Sequence, residues 1–98
     1  MAEYFLSDDA AQDLQTIYRQ GLERFGQVQA DKYLNELFDL FDLLSRNPNM
    51  GTMFDVQGAA YRRHPHKAHV LIFEPLDEKR GVKILRIFYG STDYFRQL

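Results

Sequence analysis

The spacing of hydrophobic positions changes character twice along this chain. Glu3–Leu6 (E-Y-F-L) has the look of a short strand and runs into Ser7-Asp8-Asp9. A serine able to cap with its hydroxyl, with two aspartates in the first turn, predicts that a helix starts there. Ala10, Leu14, Ile17, Tyr18, Leu22 and Phe25 then recur at three- and four-residue steps, with Asp13, Arg19, Gln20 and Glu23 outside that face. Gly26 is placed to stop this helix in a left-handed conformation. A second helical period follows at once, through Ala30, Tyr33, Leu34, Leu37, Phe38, Leu40, Phe41, Leu43 and Leu44, and stops at Arg46-Asn47-Pro48. So short a connection makes the two helices antiparallel neighbours. The apolar positions of the second cover more than half its circumference, too much for one neighbour. It is expected to pack on the first helix and on a sheet together, leaving any remaining face to a partner.

After Pro48 the period changes to that of strands. Residues 45–60 carry the turn signals Asn-Pro, Met-Gly and Gln-Gly and read as an irregular connection. Tyr61–His64 is a strand ended by Pro65, which suits a sheet edge. His69–Phe73 and Val82–Tyr89 flank the charged turn Asp77-Glu78-Lys79-Arg80-Gly81, the pattern of a β-hairpin with a loop longer than two residues. Val82–Tyr89 is apolar on both faces except at Lys83 and Arg86, so it is expected at the sheet centre. The order β-α-α-β-β-β defines an α+β fold: a short N-terminal strand and a helical hairpin packed on a three- to four-stranded antiparallel sheet. Residues 1–98 form one domain.

Composition adds bounds. At 98 residues and 45% apolar, the chain can build a single core. It has no cysteine, so disulfide and thiolate chemistry are excluded. No apolar run reaches the roughly 18–20 residues needed to cross a bilayer, and the N-terminus lacks the features of a signal peptide. A cytoplasmic protein is expected. The net charge of −2 conceals an asymmetry: residues 1–60 carry 4 Lys/Arg against 10 Asp/Glu, and residues 61–98 carry 8 against 4. With a pI near 5.8, well under the value of about 9 typical of nucleic-acid binders, strong direct nucleic-acid binding is not expected. An acidic or amphipathic protein partner explains the asymmetry at least as well.

Two groups of residues invite chemistry. His64, His66 and His69 form H-x-H-x-x-H, but Pro65 interrupts them and no cysteine or acid lies nearby, so no metal is expected. Ser91, in Gly90-Ser91-Thr92-Asp93, reads as turn chemistry. The second group is basic and aromatic: Arg62, Arg63, Lys67, Lys83, Arg86, Tyr89, Tyr94 and Arg96. Such a set can hold phosphates, with tyrosine as acid or base, which would be metal-free RNA cleavage. The plainer reading makes Arg62, Lys83 and Arg86 solvent-facing strand residues paired with Glu74, Asp77 and Glu78.

Several segments taken in order carry a family resemblance. They are D-L-x-x-I-x as Asp13-Leu14-Gln15-Thr16-Ile17-Tyr18, the helix end Arg46-Asn47-Pro48, Tyr61-Arg62-Arg63, the strand His69–Phe73, and V-x-I-x-R-x-x-x-G from Val82 through Arg86 to Gly90. In these the whole chain resembles toxins of the RelE/ParE superfamily from bacterial toxin–antitoxin modules. The long helical hairpin and the L-x-x-N-P helix end are similar to the ParE branch. The chain also departs from the RelE nuclease pattern, with Ser91-Thr92 where those enzymes carry a basic pair and His64 in place of a second lysine.

The ParE resemblance implies a poison of DNA gyrase that traps the enzyme on cleaved DNA, acting on the A-type, DNA-cleaving polypeptide of that enzyme. It implies no chemistry and no cofactor of the toxin's own. It also implies neutralisation by a ParD-type antitoxin, whose amphipathic helix would lie on the hairpin at Tyr33, Leu34, Leu37, Phe38 and Phe41, with extended chain along the sheet. The target surface is expected at Arg62, Arg63, Arg86, Tyr94, Phe95 and Arg96. The alternative is a RelE-like ribosome-dependent mRNA endonuclease using Arg62, Arg86 and Tyr94. A third possibility is a toxin-fold protein that serves only as a binding module.

Overall fold

The computed structural model describes residues 2–90. Strand β1 (Glu3–Leu6) leads into helix α1 (Asp8–Phe25), helix α2 (Gln27–Arg46), and strands β2 (Thr52–Val56), β3 (Ala59–His66), β4 (His69–Pro75) and β5 (Gly81–Tyr89). A single 3-10 turn, Asp77–Lys79, joins β4 to β5. The sheet has five strands in the order β1-β5-β4-β3-β2. It is mixed, because β1 runs parallel to β5 while every other pair is antiparallel.

The helix boundaries follow their capping chemistry. The Ser7 hydroxyl accepts from the Ala10 amide at 2.9 Å, with Asp8 and Asp9 in the first turn of α1. Gly26 serves as C-cap of α1 and N-cap of α2, with φ 84° and ψ 173°. This is an extended positive-φ conformation essentially reserved for glycine, rather than the left-handed helical one expected. One residue therefore turns the chain. At the far end the Asn47 amide group donates to the Leu43 carbonyl at 3.0 Å and closes α2 before Pro48.

Both helices lie on one face of the sheet. Ala10, Leu14, Leu37, Leu40, Phe41 and Leu44 meet Leu71, Phe73, Val82, Ile84 and Ile87 in the main core. A second cluster on the opposite face joins Val70, Ile72 and Phe88, flanked by Phe54, Tyr61 and Leu85. Ile84 and Ile87 share the helix face despite their odd spacing because the β4–β5 register shifts at Ile72/Phe73, the mark of a β-bulge.

Three expectations about the sheet need correction. The segment read as irregular contains β2. Its short, half-exposed sequence T-M-F-D-V gives little pattern, and the two-residue turn Gln57-Gly58, with φ 53° and 89°, connects it to β3. The strand with Pro65 is not an outer edge. However, β2 pairs only with Ala59–Arg63, so Pro65 lies beyond its reach and bonds only toward β4, which is why a proline is tolerated there. The strand in the middle position is β4, fully buried from His69 to Phe73, with β5 beside it.

β1 seals the other edge. Glu3 sits opposite Gly81, whose φ is +119° and where a Cβ would lie 1.6 Å from the Glu3 carbonyl oxygen. Only glycine permits that approach. β1 ends at Leu6, opposite Ile84, and beyond it the edge of β5 is closed by a side chain. Asp13 of α1 accepts from the Ile87 amide at 2.9 Å and from the Arg86 guanidinium at 2.9 and 3.2 Å. A carboxylate thus occupies the place of the missing strand and ties α1 to the sheet.

Candidate functional site

Strand pairing brings three side chains into one cross-strand row on the helix face. His66 of β3 is opposite His69 of β4, and His69 is opposite Tyr89 of β5. The outer half of the helical hairpin comes down on this row. The Tyr33 hydroxyl of α2 is 2.6 Å from His69 Nδ1 and 3.3 Å from the His66 carbonyl oxygen. The Tyr89 hydroxyl donates to Gln20 Oε1 of α1 at 2.7 Å. The rings of His69 and Tyr89 stack, with centroids 4.7 Å apart. At the margin Glu36 accepts from Lys67 at 2.6 Å and meets His66 Nε2 at 3.3 Å.

Between the helix tips and this row lies a cleft of about 430 Å³. Its walls include Ile17, Gly21 and Phe25 from α1, Ala30, Tyr33 and Leu34 from α2, Lys67 and Ala68 from the β3–β4 turn, and His69 at the start of β4. The helix tip beside it leaves large apolar side chains in solvent: Phe25 is 71% and Val28 79% exposed. Three of the four charged side chains lining the cleft are cations, Arg24, Lys32 and Lys67, and the fourth is Glu36.

The local electrostatics follow from burial. Tyr33 is pushed up to about 12, mainly by desolvation and then by the Glu36 charge and Tyr89. Burial, with His66 nearby, holds His69 below its usual value, so its imidazole is neutral. The hydrogen bond from Lys67 holds Glu36 below the ordinary carboxylate range. Asp13 raises Arg86 further above its already high value.

The residues expected to bind a partner divide by depth. Leu37 and Phe41 have no exposed surface and belong to the core, because the sheet lies directly under that half of α2. Tyr33, Leu34 and Phe38 are half-buried, and Tyr33 and Leu34 line the cleft.

The residues expected to contact a target divide by face. Arg62 and Arg63 are consecutive on β3, so they point to opposite sides of the sheet. Arg62 pairs with Phe73, on the helix face, and donates to the carbonyls of Asn49 and Gly51 at 2.9 and 3.4 Å. Arg63, Ile72 and Arg86 form a cross-strand row on the other face, where the Arg86 guanidinium also lies 4.4 Å from the Phe88 ring centroid. The partner of Arg86 is Asp13, from a helix 73 residues earlier, and not one of the hairpin acids Glu74, Asp77 or Glu78. Tyr94, Phe95 and Arg96 lie outside the described residues, as do Ser91 and Thr92. Among the described residues no three His, Cys, Asp or Glu side chains are grouped to hold a metal ion. No described helix is long and apolar enough to cross a membrane.

Comparison with known proteins places this geometry in a family. Residues 4–94 match the family described as "ParE toxin of type II toxin-antitoxin system, parDE". The chain belongs to that family. It is 33% identical over 95 residues to Toxin ParE1 of Caulobacter vibrioides, covering 95% of this chain and 94% of the relative. It is 29% identical over 97 residues to Toxin ParE1 of Mycobacterium tuberculosis, covering 99% and 98%. The fold is shared with a solved structure titled "Chromosomal ParDE TA system from P. aeruginosa", at a TM-score of 0.74 and 24% identity over 91% of this chain and 96% of that one. A ParDE module implies an antitoxin as the partner of the toxin.

Proposed function

We propose that this chain is a cytoplasmic toxin that inhibits DNA gyrase by trapping its cleaved-DNA complex and is neutralised by a ParD-type antitoxin. The observation that carries this reading is the family match across residues 4–94. The arrangement of arginines supports it over RNA cleavage. Arg86 is bound in two hydrogen bonds by Asp13, and Arg62 is engaged by loop carbonyls. An RNA phosphate would have to displace these partners before either cation could stabilise charge.

The two faces divide the work in this reading. The cleft and exposed helix tip, with Tyr33, Leu34 and Phe38, receive an amphipathic antitoxin helix. The opposite face, with Arg63 and Arg86, together with Tyr94, Phe95 and Arg96 of the C-terminal segment, meets the DNA-cleaving polypeptide of gyrase. Arginine and tyrosine are the residue types that dominate protein interfaces.

The test is a plasmid cleavage and supercoiling assay with purified gyrase, run beside a ribosome-dependent mRNA cleavage assay. The expected result is accumulation of cleaved DNA complex, unchanged by Tyr94→Phe because no proton transfer is required. Cleavage of ribosome-bound mRNA that falls by about 10²–10⁴-fold in Tyr94→Phe would overturn the proposal.

A further inference from the structure

Among the described residues, one buried side-chain polar atom in the row beneath the helix tip has no hydrogen-bond partner. His66 meets Glu36, Glu36 meets Lys67, and the Tyr89 hydroxyl meets Gln20. His69 Nδ1 meets the Tyr33 hydroxyl, yet His69 Nε2 is buried without a hydrogen-bond partner among the described residues. His64 Nδ1 is likewise unpartnered there, but His64 lines neither the cleft nor the smaller cavity of about 210 Å³ beside it. His69 lines both, and the residue is only 7% exposed.

The hydrogen-bond geometry determines what Nε2 offers. The Tyr33 contact with Nδ1, at 2.6 Å, is far shorter than that with the His66 carbonyl, at 3.3 Å. Either the phenol donates to Nδ1 or Nδ1–H donates to the phenol; the shorter contact favours the first, which puts the single proton of the neutral ring on Nε2. His69, which borders both the cleft and the smaller cavity, thus carries one buried N–H with no acceptor among the described residues. A phenylalanine would stack on Tyr89 as well and leave no polar atom unmatched.

We infer that His69 is a specificity residue of the antitoxin site: its Nε2–H receives a side-chain oxygen acceptor, carboxylate or amide, carried by an acidic amphipathic helix seated in the cleft. The inference rests on the reading that the antitoxin occupies this cleft. Charge supports the same occupant, since Arg24 and Lys32 line the cleft without an acidic partner among the described residues. Tyr33 acts as a positioning residue, fixing which ring nitrogen carries the proton. An antitoxin bearing a methyl group where the acceptor belongs would be rejected, because the buried N–H would stay unpaired.

The probe is a full-length ParD-type antitoxin that binds the wild type, titrated calorimetrically into the wild type, His69→Phe and the double variant Arg24→Glu/Lys32→Glu. Both variants are expected to bind roughly 10- to 100-fold more weakly. Nitrogen-15 spectra of the wild-type complex are expected to show Nε2 protonated and its proton protected from exchange. They decide the matter even if His69→Phe fails to fold. Binding of His69→Phe within threefold of wild type, or an unprotonated Nε2 in the complex, overturns the role of His69 while leaving the antitoxin site in place. If no ParD-type antitoxin binds the wild type, or the double variant binds like wild type, the cleft is not the antitoxin site and both readings fall.

Discussion

The two halves of the helical hairpin carry the same three- and four-residue apolar period and reach different environments. At the base, Ala10, Leu14, Leu37, Phe41 and Leu44 are buried against β4 and β5. At the tip, Leu22, Phe25 and Val28 face solvent, and what lies beneath is the polar row His66, His69 and Tyr89 with a cleft above it. Amphipathic periodicity marks a face that must be covered but does not say by what. Here the sheet covers one half of that face, and the other stays exposed beside the cleft.

The sharpest way to break this contrast is at the base. Phe41 has no exposed surface and packs on Tyr4 and Phe38. Phe41→Ala is expected to cost about 3–5 kcal/mol in urea unfolding. Gly81→Ala comes next. The added Cβ would strike the Glu3 carbonyl at a backbone conformation that favours glycine, so a loss of more than about 2 kcal/mol is expected, with β1 amides losing exchange protection first. Asp13→Ala leaves the Ile87 amide and the Arg86 guanidinium without their acceptor, at an expected cost of about 2–3 kcal/mol. A loss under about 0.5 kcal/mol, on the order of an ordinary surface substitution, would show that the edge closure is incidental.

The tip gives smaller effects. The unfolded chain binds a proton at His69 below its usual value of 6.5, while the folded chain, with His69 held lower, does not. Stability therefore falls as pH drops below about 6.5 toward the folded value, with a slope of up to about 1.4 kcal/mol per pH unit, and His69→Phe should flatten it. Glu36 acts in a separate, more acidic window. Its folded value is lowered from 4.5, so its contribution is complete above that value and is lost as pH falls through the folded one. The smallest effect is expected from Phe25→Ala, within about 0.5 kcal/mol of wild-type stability, although antitoxin affinity should drop measurably.

Much of this architecture is legible in the residues. The Ser7 cap, the Gly26 break, the Asn47-Pro48 stop and the charged turn before β5 are local signals, and each stands where its chemistry places it. β2 is hidden because five half-exposed residues between turn signals carry almost no period. The Gln57-Gly58 pair is the available clue, since two residues between short β-prone stretches are enough for a hairpin. Asp13–Arg86 cannot be read because the pair depends on where β1 stops and α1 begins to cross the sheet edge. The histidines stand out by their spacing, but their role comes from the register that aligns His66, His69 and Tyr89, and from Tyr33 reaching them across 36 residues of sequence.

The parallel pairing of β1 with β5 also constrains when the molecule can exist during synthesis. Glu3 bonds to Arg80, and the Ser7 hydroxyl to Leu85, a separation of 78 residues. The first strand made waits for the last, and β5 supplies both the neighbour of β1 and the floor for α1. Contacts this distant in sequence form late and slow folding. A nascent chain halted before residue 81 holds two helices whose apolar faces have no completed sheet to meet, which is the kind of surface that chaperones and partners capture. The complete folded surface thus exists only when nearly the entire chain has emerged, so the helices are open to capture before the sheet that covers them is finished.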